Sequence, residues 1–147
     1  PSQKYFGFSD EVLYGRPLQV SDREKTIIDC IDRPSLCGGY TELSRILWRG
    51  AQELDWDRLL SYVQKIESVV VVQRLGFFLE LIEAEAPDSL LVNLEKMIGP
   101  NHRSILGKVG VQAHKDAIGF IRRWGLLVPF SREMLLAEVP TKSRERS

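Results

Sequence analysis

The sequence predicts an α+β fold in which a small antiparallel sheet from both chain ends packs on a bundle of about five helices. Three features lead to it. Short β-rich runs broken by turn residues open the chain, apolar residues at helical spacing recur in five successive segments, and after Pro100 the period returns to that of strands. With 147 residues, 44% of them hydrophobic and 27% charged, the chain is long enough to close one core without disulfides or metal.

Residues 4–20, "KYFGFSDEVLYGRPLQV", carry the runs Tyr5-Phe6, Val12 to Tyr14 and Leu18 to Val20, separated by polar and Gly-Arg-Pro breaks. They read as an antiparallel meander, with Gly15 in a turn and Pro17 at an edge or strand start. Ser21-Asp22-Arg23-Glu24 has the form of a capping box, in which hydroxyl and carboxylate each satisfy a free N–H at a helix start. The helix it opens, about 22–32, places Ile27, Ile28 and Ile31 on one face and ends before Pro34, which biases Arg33 away from the α region.

Gly38-Gly39 permits a sharp reversal into a second helix, about 40–52, with Leu43, Ile46 and Leu47 on its apolar face and Trp48 beside them. Asp55 caps a third, about 55–66, whose stripe is Leu59, Leu60, Val63 and Ile66, with Trp56 in its first turn. "SVVVVQRLGFFLELIEAE" is strand-like by residue type. Its stripe of Val71, Val72, Leu75, Phe78, Leu79 and Ile82 is helical, and its length favours a helix. Gly76 inside that helix costs about 1 kcal/mol relative to alanine, so another element is expected to pack closely there. Pro87-Asp88-Ser89 starts a fifth helix, stopped by Gly99-Pro100. "SILGKVG" and "GFIRRWGLLVPF" then read as two strands joined by "VQAHKDAI", and Ser131 caps a short last helix through Ala137. Residues 1–139 form one domain on this reading, and 140–147, without an apolar anchor, a disordered tail.

Formal net charge is zero, but the charge is unevenly placed. Between Glu42 and Glu95 there are ten acids against five bases, whereas Asn101 to Gly125 holds Arg103, Lys108, Lys115, Arg122, Arg123, His102 and His114 against Asp116 alone. This basic segment is the main functional lead, since phosphate contacts need positive charge and donors. The ordinary alternative is a solvated rim that balances the acidic helices. The Arg122-Arg123-Trp124 step also suits a structural cation–π contact.

Other chemistry is weakly signalled. No Gly-x-x-x-x-Gly-Lys-Ser/Thr loop, Gly-x-Gly-x-x-Gly turn or Gly-x-Ser-x-Gly elbow is present. Cys30 and Cys37 form neither a disulfide framework nor a redox dipeptide and read as ordinary buried or surface thiols, with a Cys30–His114 pair as the catalytic alternative. Asp29 and Asp32, three apart on a helix, more readily pair with Arg33 or Arg23 than bind a metal. No cofactor is implied. The longest apolar stretches, Ser68 to Val72 and Leu75 to Leu79, fall far below the ~20 residues of a membrane span, and no signal peptide opens the chain. A cytoplasmic protein without a membrane partner is expected.

The stretch "FGFSDEVLYGRPLQVSDREKTIIDCIDRPSLCGGYTELSRIL" resembles the central signature of the AbiEi-type antitoxins: a strand pair, a Ser/Thr-Asp-x-Glu-x-Thr helix ending in Asp, then Asp-Arg-Pro-x-x-x-Gly-Gly. The matching positions are Ser21, Asp22, Glu24, Thr26, Asp29, Asp32, Arg33, Pro34, Gly38 and Gly39, with a shorter match at Arg74-Leu75-Gly76. The resemblance covers about residues 5–82. It implies the C-terminal domain of a transcriptional regulator and antitoxin of type IV toxin–antitoxin systems, which act in abortive infection against phage. An N-terminal winged helix-turn-helix would precede it, in keeping with a sequence that starts Pro1-Ser2. In such proteins the winged helix binds operator DNA to repress the operon, and the C-terminal domain counters a nucleotidyltransferase-like toxin without forming a stable complex. The basic segment after Pro100 has no counterpart in that pattern. The alternative, from another class, is an enzyme acting on RNA or nucleotides through His102 and His114.

Overall fold

The computed structural model describes residues 8–13 and 16–140, with side chains from Asp22 onward. Strands β1 (Phe8–Leu13) and β2 (Arg16–Ser21) pair antiparallel, with Phe8 opposite Ser21 and Leu13 opposite Arg16. The proposed Tyr5-Phe6 run, the Gly15 turn and most of the tail lie outside the described residues. Helices α1 (Arg23–Asp32), α2 (Tyr40–Gly50), α3 (Trp56–Ile66), α4 (Val69–Leu81) and α5 (Asp88–Lys96) follow, then β3 (Ser104–Ile105), β4 (Ala117–Ile121), β5 (Leu126–Ser131) and the short α6 (Arg132–Leu135). The fold is α+β. The strands near the two chain ends form separate sheets, a hairpin and a mixed sheet of order β3-β5-β4, and are not hydrogen-bonded to each other. In the second sheet β5 runs parallel to β3 and antiparallel to β4.

Helix α1 is capped one residue later than its sequence suggests. Ser21 still belongs to β2, so Asp22 becomes the cap, accepting from the Lys25 N–H at 2.9 Å. Glu24, the other half of the expected box, is 3% exposed and serves α3 instead. Its carboxylate accepts from the Asp55 N–H at 3.0 Å and faces the Arg58 guanidinium at 3.5 Å. Asp29 pairs with the buried Lys25 one turn back rather than with Arg33 or Arg23.

Asp22 also accepts from the Tyr62 hydroxyl on α3. Burial, then that hydrogen bond and the carboxylate charge, push the Tyr62 phenol from 10.0 up to about 12. Because the folded chain holds this proton more tightly than the unfolded one, the contribution is complete below pH 10 and is lost as pH rises toward about 12. Tyr62→Phe is expected to flatten the alkaline fall in stability over that window. Unfolding curves recorded along a pH series would show it, and an unchanged alkaline slope would assign the fall to other groups.

The core joins Ile27, Ile28 and Ile31 of α1 to Leu43 and Leu47 of α2, Leu59 and Val63 of α3, and Leu90 and Leu94 of α5. At its centre α4 is buried on nearly every side, including the polar Gln73. A helix with so little solvent face loses its polar stripe, which explains why its valine run resembles a strand. Ser68 caps it through the Val71 N–H at 3.3 Å, and burial of its apolar side chains, about 1.5–3 kcal/mol each, outweighs the valines' poor helix propensity.

The close approach expected at Gly76 comes from Trp124, a fully buried ring against which a Cβ on Gly76 would sit 2.3 Å from Cζ3. Trp124 reaches there from a turn, which corrects the reading of residues 119–130 as one strand. The run breaks at Arg122–Gly125, with Gly125 at φ +63°, and supplies both β4 and β5. Likewise "SILGKVG" keeps only two residues of strand before Gly107 and Gly110 take positive φ. Ser131 caps α6 through the Met134 N–H at 3.1 Å, and Thr41 on α2 donates to the Met134 carbonyl at 3.1 Å, fixing the last helix to the bundle. Among the described residues no helix is long and apolar enough to cross a membrane.

Candidate functional site

The end of α5, the start of β3 and the β4–β5 turn enclose an open recess of about 370 Å³ beside Arg103, Arg122 and Arg123. Two glycines make this junction possible. A Cβ on Gly99 would lie 2.6 Å from the His102 ring, and one on Gly125 would lie 2.4 Å from the His102 carbonyl oxygen. The His102 N–H donates to the Gly99 carbonyl at 3.1 Å, and the Ser104 N–H donates to that of Gly125 at 2.9 Å. Gln73 secures the same point from the core: its amide donates to the Gly125 carbonyl at 3.1 Å and accepts from the Ser104 hydroxyl at 2.7 Å. The recess is therefore built on hydrogen bonds that reach back to the central helix.

Its cations are not equivalent. Arg123 is committed to the structure, donating to Glu80 at 2.9 Å and Glu95 at 3.1 Å while lying 4.9 Å from the Trp124 ring centroid, the cation–π contact suggested by its sequence position. Trp124 in turn donates its indole N–H to Glu80. Arg103 lies over the half-exposed Phe120 ring at 5.4 Å, and Arg122 is exposed. Neither has a carboxylate partner among the described residues. Two guanidinium groups are thus free to meet an anionic or carbonyl-rich surface, next to Glu95, which offsets part of their charge.

Lys108 and Lys115 do not join them; both are exposed on the 106–116 connection, outside the lining of the recess. The five cations of the basic segment are therefore split between a recess and a loop. His102 lines the recess, whereas His114 does not. The His114 Nδ1 accepts from the Asp116 N–H at 3.0 Å, and its own backbone N–H donates to the Pro129 carbonyl at 2.9 Å. The two histidines do not share this site.

The densest motif is a joint between α1 and α2. The Arg33 N–H closes α1 on the Asp29 carbonyl at 2.9 Å, Pro34 opens a 3-10 turn through Cys37, and Gly38 and Gly39 follow at φ +99° and +104°. Asp32 contributes its backbone. Arg74 on α4 donates to the carbonyls of Ile31 and Asp32 at 3.0 and 3.3 Å, with its guanidinium 6.0 Å from the Tyr40 ring centroid. The two segments carrying the family resemblance, around Asp29–Gly39 and at Arg74-Leu75-Gly76, are therefore in direct contact. Sequence spacing did not reveal this, because donor and acceptors lie 42 and 43 positions apart.

Cys30 is buried beside Cys37 and Asp29. Burial first, then those two neighbours, push its thiol from 9.0 up to about 12, opposite to the shift that activates a nucleophile. No histidine acts on it, so the Cys30–His114 option is not assembled. Among the described residues no three His, Cys, Asp or Glu side chains are placed to hold a metal ion. Comparison of the chain with family models, curated proteins and solved structures finds no match.

Proposed function

We propose that this chain is the antitoxin and regulatory domain of a type IV, abortive-infection toxin–antitoxin system. It would counter a nucleotidyltransferase-like toxin without a stable complex, while a winged helix-turn-helix elsewhere in the full-length protein represses the operon on operator DNA. The reading is carried by the motif from Ser21 to Gly39, and contact between Arg74 and the end of α1 supports treating both quoted segments as one unit. A thiol held protonated and histidines held apart favour a non-catalytic role over the nucleotide- or RNA-acting alternative. The exposed Arg103 and Arg122 are the contact residues we assign to antagonism.

Co-expression with the cognate toxin tests this. The chain alone is expected to restore growth, and Arg103→Glu with Arg122→Glu to lower rescue about ten-fold at unchanged melting temperature, since each loses a charge-assisted contact. Operator DNA should bind the full-length protein but only weakly this chain; sequence-specific binding by the chain at physiological salt would reverse that division of labour. Failure of the chain to rescue, or an RNA- or nucleotide-directed turnover abolished by His102→Ala with His114→Ala, would replace the antitoxin reading by the enzymatic one.

A further inference from the structure

A second recess, of about 350 Å³, lies where α2 runs out through Ala51, α3 begins at Trp56 and α4 ends at Ile82. Its walls are Trp48, Trp56, Gln52, Glu83 and Glu85 over Ile82. Both indoles are half-buried and packed against the core, whereas Glu83 and Glu85 are exposed at the rim. Neither carboxylate, and neither indole N–H, has a partner among the described residues. No lysine or arginine lines the recess.

Glu83 is held at φ +54°, a conformation that favours glycine, by its own N–H on the Glu80 carbonyl at 3.1 Å and by the Ala84 N–H on that of Leu79 at 3.0 Å. A carboxylate is thereby fixed where a glycine would end the helix at less cost. The C-terminal ends of α2 and α4 both bring partial negative charge to this point, offset in part by the N-terminal end of α3 at Trp56. Two aromatic walls and two unpaired carboxylates favour one kind of guest.

We infer that the Trp48–Trp56 recess binds a soft organic cation, an alkylated ammonium group, between indole faces and the Glu83 and Glu85 carboxylates. Such a group is weakly hydrated and gains from aromatic quadrupoles, whereas a small inorganic cation is held back by its hydration shell. The same chemistry is presented by a free quaternary amine or by a trimethylated lysine on a partner protein. The site is independent of the antitoxin reading and of the basic recess.

Tetramethylammonium chloride, titrated into the full chain against sodium chloride at equal ionic strength, tests the assignment by calorimetry and indole fluorescence. The third tryptophan, Trp124, is fully buried and supplies a constant background. Tetramethylammonium is expected to bind saturably in the low-millimolar range while sodium does not. Glu83→Gln with Glu85→Gln, both exposed positions, should weaken it roughly ten-fold, and Trp48→Leu or Trp56→Leu should weaken it at least as much. A peptide bearing trimethyl-lysine that binds about ten-fold more tightly than tetramethylammonium would assign the cation to a protein side chain, and equal affinity would assign it to a small amine. Either result sustains the cation site. It is overturned by the absence of saturable binding, by equal binding of sodium, or by full affinity in the folded glutamine double variant.

Discussion

Gly76→Ala will destabilise the chain by roughly 3 kcal/mol, although alanine is the better helix former by about 1 kcal/mol. The new Cβ would lie 2.3, 2.4 and 2.5 Å from three ring atoms of Trp124, all inside van der Waals contact. Trp124 is fully buried, and its N–H is tied to Glu80, so the ring cannot swing into solvent. Nor can α4 retreat, because Val72, Leu75, Phe78 and Leu79 hold it within the core. Denaturant unfolding would register the loss as a lower midpoint with little change in slope. A variant as stable as the parent would mean that the ring and the helix do not meet at Gly76.

Trp124→Ala is expected to cost more, about 4 kcal/mol, because it empties the largest fully buried side chain of the molecule. It also removes the indole donor to Glu80 and the aromatic face beneath Arg123. The effect should extend to the basic recess, where Arg123 would lose one of the contacts that direct it between Glu80 and Glu95. A double-mutant cycle isolates the lock itself. With Trp124 reduced to alanine, the methyl group at position 76 no longer meets a ring, so the second substitution should become nearly neutral and the pair non-additive by about 3 kcal/mol. Additive losses would show that each residue acts through other neighbours.

The same lock shows how far the sequence could be read. Gly76 inside an apolar helical run signals a close neighbour, since glycine there is otherwise unfavourable, and the neighbour exists. Its identity was not legible: Trp124 lies 48 positions on, in a run whose aromatic and β-branched residues suggest one continuous strand. The turn that breaks this run depends on Gly125 fitting against the His102 carbonyl, a contact made only after α5 has ended at Lys96, before the Gly99-Pro100 stop expected for it.

Local signals with short reach were mostly legible. Pro34 and Gly38-Gly39 predict the joint between α1 and α2, and Asp55 and Ser131 predict caps that the helices use, whereas the Ser68 cap of α4 is seen only in the structure. The first cap moved from Ser21 to Asp22 because the β1–β2 ladder extends one residue further than strand propensity suggests. The basic segment was legible as composition, but not its division, because charge counts do not tell that Arg123 is taken by two carboxylates while Arg103 and Arg122 stay free. The Trp48–Trp56 recess was not legible at all: each tryptophan reads as part of its own helix, and Glu83 and Glu85 as ordinary surface acids.

What the sequence by itself determined was the α+β class, the order and approximate bounds of the helices, the joint after Asp32 and the existence of a basic segment. These depend on period, capping and turn chemistry acting over a few residues. What only the tertiary structure decided was the separation of the strands into two sheets, the meeting of Arg74 with the end of α1, the split of the cations and the two recesses. Each of these joins residues distant in the chain, and the contact exists only once the buried faces of α4 have chosen their neighbours.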